Sequence, residues 1–125
     1  MVRGGGCGAA AAILALCLAA PGSAADGARV YASQCGGCHG DEGKGDGPAA
    51  AAVLPKPKDL RSPEVWRDRN DAALRELVKR GKPGTMMPPF EGILSDEEVA
   101  AVVTFIRRFD PGTAQLQPPT SGATP

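Results

Sequence analysis

The chain has 125 residues, 14 Lys+Arg against 14 Asp+Glu, and a formal net charge of zero. That length holds one domain, and the balanced charge gives no basis for attraction to nucleic acid or an anionic membrane. With 17 glycines, 12 prolines and five aromatic residues, little chain is left for regular structure, and the core is thin.

Residues 1–25 read as a secretory signal. Met1-Val2-Arg3 supplies a positive start, Ala9 to Ala20 is an unbroken apolar run, and Ser23-Ala24-Ala25 offers the small residues of a cleavage site. The run falls well short of the ~20 residues a spanning helix needs. Lipid attachment at Cys17 is disfavoured by the bulky Leu16 before it. Cleavage after Ala25 implies export to the periplasm with no stable membrane insertion. It also removes Cys7 and Cys17, so that Cys35 and Cys38 are the only thiols left.

Asp26 to Gln34 reads as a short helix capped by Asp26, running straight into Cys35-Gly36-Gly37-Cys38-His39. Two thiols three positions apart, followed at once by the sole histidine, form C-x-x-C-H, the attachment pattern of a c-type haem. Each sulfur adds to one vinyl group, and the adjacent imidazole faces the iron. A thioredoxin-like motif would need a βαβ context, and a zinc site would need four ligands. The sequence offers neither.

Gly40 to Pro48 is a loop with four glycines before its proline, and Ala49 to Leu54 has room for a helical turn that Pro55 and Pro57 stop. Pro63 opens a second short turn through Trp66. Asn70 to Arg80 is a helix with Asn70 as cap, Leu74, Leu77 and Val78 on one face, and Gly81 to end it. A loop from Lys82 to Leu94 carries Met86-Met87-Pro88-Pro89-Phe90. Ser95 to Phe109 is the longest helix, with a Ser95/Glu98 capping box and Val99, Val102, Val103, Ile106 and Phe109 at helical spacing. From Pro111 the composition is that of a disordered tail, 111–125.

Taken in this order, a helix leading into C-x-x-C-H, a glycine-rich loop ending in Gly47-Pro48, a middle helix, a methionine loop and a long last helix resemble a small class I cytochrome c over residues 26–110. The resemblance implies an all-α fold around one covalently bound haem c. By the same resemblance Cys35 and Cys38 hold the haem through thioethers, His39 is the proximal iron ligand, and the Pro48 carbonyl accepts the second ring proton of His39. The sixth ligand is a methionine directly before proline, which selects Met87 over Met86. Gly27 matches the small residue that lets the first and last helices cross, with Tyr31 and Phe105 beside it, although a simple turn residue reads equally well there.

Two readings stand at this point for Trp66, a haem propionate donor or core packing, and two for Lys79, Arg80 and Lys82, a docking site for an acidic partner or a solvated helix end. The function implied is one-electron carriage between redox proteins, without catalysis. Its alternatives are a cytochrome subunit of a larger dehydrogenase or oxidase, and an open-site haem sensor.

Overall fold

The computed structural model describes residues 25–114, so the signal segment up to residue 24 and the tail from 115 lie outside it. The expected all-α class is what the described residues adopt: six helices, α1 (Gly27–Gln34), α2 (Gly36–His39), α3 (Pro63–Trp66), α4 (Asp71–Arg80), α5 (Asp96–Ile106) and α6 (Pro111–Ala114), with 3-10 turns at Ala50–Ala52 and Arg107–Phe109.

Local chemistry sets the boundaries. The Asp26 carboxylate accepts from the amides of Ala28 and Arg29 at 3.0 and 3.3 Å, which satisfies donors that a first helical turn leaves free. The Asn70 side chain does the same for Ala73 at 2.8 Å. At α5 the capping box closes both ways: Glu98 N donates to Ser95 Oγ at 3.1 Å, and Ser95 N donates to Glu98 Oε2 at 2.9 Å. α4 stops at Gly81, whose φ of +66° suits glycine and strains any other residue.

α5 is the spine. Val99, Val102 and Val103 are essentially solvent-free, as the periodicity predicted, and the helix packs against α1 on one side and α4 on the other. Val30, Tyr31, Leu60, Trp66, Leu74, Val78 and Phe90 complete one cluster with them. The α1–α5 crossing decides the role of Gly27: a Cβ there would run into the Ala101 carbonyl, so its smallness serves the close approach of two helices. Beside it, Tyr31, Phe105 and Phe109 stack with ring centroids 5.2 to 5.9 Å apart, within the range of favourable aromatic pairs.

The last helix is shorter than its periodicity suggested, because α5 tightens into a 3-10 turn at Arg107–Phe109. The expected disordered tail is also corrected at its start. Residues Pro111–Ala114 form a helical turn, held where the Asp110 carboxylate accepts from Gly112 N at 2.9 Å. An aspartate before Pro-Gly is an Asx-type start signal that composition alone hid.

Candidate cofactor site

Cys35 is the hinge between α1 and α2. Its amide still donates to Tyr31 O at 2.9 Å, while its own carbonyl accepts from Cys38 N and His39 N at 3.2 and 2.9 Å. Cys35, Cys38 and His39 are thereby placed within one turn. Both thiols are free and half-buried. Burial, with a lesser contribution from Cys38, pushes the Cys35 thiol up to about 11, so Cys35 is held as the thiol.

The glycine-rich loop folds back on this turn and supplies what its carbonyls lack. Gly45 N donates to His39 O at 2.8 Å, Gly47 N to Cys38 O at 3.1 Å and Ala49 N to Gly37 O at 2.8 Å, which satisfies the acceptors a helix C-terminus leaves over. The approach is so close that a Cβ on Gly47 would strike the carbonyls of Gly36 and Gly37. Tyr31 ties the same region to the core through its buried hydroxyl, which donates to Gly40 O at 2.7 Å.

The ring of His39 corrects one expectation. Its Nδ1 lies 3.3 Å from the Lys58 carbonyl, whereas the family resemblance had pointed to Pro48. The reason lies in the loop. Its glycines turn so tightly that Gly47 and Ala49 are used up on the backbone of α2, leaving Pro48 exposed. The returning strand of chain takes the place beside the ring. Pro57 and Lys58 lie against Gly45, and Leu60 N donates to Gly43 O at 2.6 Å. A carbonyl only accepts, so the bond puts the ring proton on Nδ1 and leaves the Nε2 lone pair free. Burial lowers the pKa of His39, partly opposed by that same carbonyl, and a neutral ring is the form that binds a metal.

Trp66 resolves in favour of packing. It is buried, and its indole nitrogen donates to Leu60 O at 2.6 Å. Arg107 covers the ring, its guanidinium carbon 5.2 Å from the centroid, while its nitrogens donate to Asp71 Oδ1 at 2.8 Å and Arg69 O at 2.9 Å.

The methionine loop is anchored at both ends. Lys82 N donates to Met87 O at 3.1 Å, Met87 N to Thr85 Oγ1 at 3.2 Å, and Phe90 N shares the carbonyls of Val78 and Lys79. Met86 is 63% exposed, Met87 half-buried and Phe90 buried. Gly81 lets the loop pass, since a Cβ there would sit 2.5 Å from the Pro88 carbonyl carbon. Of the three cations near this loop, Lys79 pairs with Asp96 and Arg80 with Glu76, which leaves Lys82 as the cation among them with no ionic partner among the described residues.

Two thiols, an imidazole with one free nitrogen and a half-buried thioether on a braced loop are side-chain types that suit a covalently held haem. The family model described as cytochrome c oxidase, cbb3-type, subunit III matches residues 22–106. The chain belongs to that family. It is a class I c-type cytochrome domain, all-α, with covalently bound haem c.

The chain is 31% identical over 90 residues to the cbb3-type cytochrome c oxidase subunit FixP of Bradyrhizobium diazoefficiens, covering 71% of this chain and 28% of that protein. Subunit FixPc of Rhizobium leguminosarum bv. viciae is 31% identical over 94 residues, covering 74% and 30%. The chain thus spans under a third of the length of these relatives. Among solved structures it is similar to a chain of the Kuenenia stuttgartiensis reducing HAO-like protein complex (TM-score 0.61, 28% identity, 78% of this chain and 47% of that one). The KustC0563 c-type cytochrome matches over nearly its whole length (TM-score 0.55, 31% identity, 68% and 98%).

Four residues whose contacts shape the region escaped sequence reasoning: Lys58 beside His39, Leu60 beneath Trp66, Gly81 as a spacer, and Arg107 over Trp66. Lys58 and Leu60 act through their backbone, which leaves no mark on side-chain type. Gly81 read only as a helix terminator, and Arg107 as one more cation in a last turn.

Proposed function

We propose that Cys35 and Cys38 carry the haem through thioethers, that His39 Nε2 and Met87 Sδ take the two axial positions, and that the domain works in the periplasm after cleavage of residues 1–25. The observation that carries this reading is the His39–Lys58 bond at 3.3 Å, which commits Nδ1 to a carbonyl and points the remaining lone pair to a metal. Bound there, haem supplies a one-electron couple, and Met/His ligation keeps its potential high.

Each residue has a separate task. The two cysteines fix the group in place, Lys58 O orients and enriches the imidazole, and the braced loop holds the thioether. With both axial positions filled, a substrate has no access to the iron, which disfavours a gas sensor or peroxidase. The domain then passes single electrons between two redox proteins.

The printed roles of its relatives, an oxidase subunit and a chain of an HAO-like protein complex, favour work inside a larger redox assembly over free diffusion. The test is the native holoprotein. Its ferrous spectrum should be unchanged by CO, and it should elute with a larger complex. A CO-induced spectrum would refute the filled sixth position, and elution alone would return the domain to the class of free carriers.

A further inference from the structure

A line of contacts links the far end of α5 to the ring of His39. The Arg107 side chain is 22% exposed and gives three of its donors to fixed acceptors: Asp71 Oδ1 at 2.8 Å, Arg69 O at 2.9 Å and Asp110 Oδ2 at 3.4 Å. A guanidinium held so firmly is a rigid plate, and it lies on the face of Trp66, where the ring's charge distribution attracts it. Trp66 in turn donates to Leu60 O at 2.6 Å. Leu60 is pinned from its other side by its amide on Gly43 O at 2.6 Å. Two residues earlier in the chain, ahead of the turn at Leu60, lies the Lys58 carbonyl that meets His39 Nδ1.

We propose that Arg107 is a positioning residue for the axial histidine: by clamping Trp66 it fixes Leu60, and through Leu60 it sets the Lys58–His39 hydrogen bond and hence the reduction potential. This rests on the reading of His39 as an iron ligand.

The two ways in which Arg107 can act on the potential have opposite signs, which makes the idea decidable. A carbonyl that accepts the Nδ1 proton makes the imidazole more basic, and a more basic ligand favours ferric iron. Loosening that bond therefore raises the potential. Removing a nearby cation, by contrast, favours the more positive ferric state and lowers it. As a plain charge Arg107 shifts the potential one way, and as a clamp the other.

The experiment compares holoprotein variants Arg107→Gln, Arg107→Lys and, as a charge-matched control on the exposed face of α4, Arg75→Gln. Arg107→Gln should raise the midpoint potential, and Arg75→Gln should leave it unchanged or lower it slightly. Arg107→Lys keeps the charge but lacks the planar fork; it should also move upward, and it decides the matter if Arg107→Gln does not fold. In proton NMR of the wild type, the His39 Nδ1–H should be hyperfine-shifted and protected from exchange, and in the Arg107 variants it should exchange severalfold faster. A downward or control-sized shift with protection unchanged would make Arg107 a purely structural clasp and overturn the proposal. A wild-type Nδ1 proton without hyperfine shift would instead refute ligation by His39, and the proposal with it.

Discussion

The α-carbon of Gly27 faces the carbonyl oxygen of Ala101 with no room for a methyl group between them. This approach lets α1 cross α5 closely enough to bury Val30 and Tyr31 against Val102 and Val103. Ala is ordinarily at least as good as Gly within a helix; at Gly27, the first residue of α1, the incoming Cβ meets backbone, which cannot rotate aside. Gly27→Ala should therefore destabilise the holoprotein by about 1–3 kcal/mol, the usual scale of overpacking. That is a fall in melting temperature of roughly 4–8 °C per kcal/mol for a domain this size. An unchanged melt would mean that the helices cross farther apart.

Tyr31 links stability to alkaline pH. Burial raises the phenol well above its usual range. The folded state thus keeps a proton that the unfolded chain releases near pH ~10. Tyr31's contribution is therefore fully present below that pH and declines as pH rises above it. Tyr31→Phe removes one of the two donors to the Gly40 carbonyl, which keeps the Gly43 amide, and should cost about 0.5–1.5 kcal/mol at neutral pH. The gap between the two proteins should narrow above pH ~10, which melting curves across pH 7 to 11 will check.

Met86 and Met87 differ by one position and, on the proposed ligation, by role. Pro88 restricts the backbone of Met87, Thr85 and Lys82 hold its amide and carbonyl, and its side chain is half-buried while that of Met86 is 63% exposed. Met87→Leu should remove the weak long-wavelength band of methionine-ligated ferric haem, lower the potential and admit CO. Met86→Leu should leave the spectrum intact at a cost under ~1.5 kcal/mol. Spectra of the two variants settle the assignment, and a reversed result would move the ligand by one residue.

The core without its cofactor is small. Among the described residues eleven hydrophobic ones are buried, and the largest fully buried side chains are valines. A haem held by thioethers stays on the chain in both states, and it favours the native one through the apolar surface it would bury there. The Cys35→Ala, Cys38→Ala double variant should accordingly be largely unfolded by circular dichroism. A cooperative native-like melt would show that the protein core suffices.

What the sequence disclosed and what it withheld divide along a physical line. Helix caps at Asp26, Asn70 and Ser95, the valine face of α5 and the spacing of Cys35, Cys38 and His39 are properties of side-chain type and interval, so they were legible. The partner of His39 was misread because it is a backbone carbonyl, and any residue can offer one. The Arg107 clasp joins positions 36 and 38 residues away in sequence, a separation over which local pattern carries no information. Lys79 and Arg80 looked like free charges until Asp96 and Glu76 were found beside them.

The anchoring of the 81–94 loop bears on how fast such a centre can work. Phe90 and Glu91 are fastened to the end of α4, and Lys79 is joined to Asp96 at the start of α5, so both ends of the loop are closed onto the two helices that frame it. When an electron arrives or leaves, the surroundings need not rebuild around the new charge, because their dipoles and side chains are already in place. On the proposed ligation by Met87, a loop fastened in this way would hold the thioether in place in both oxidation states and so lower the reorganisation cost.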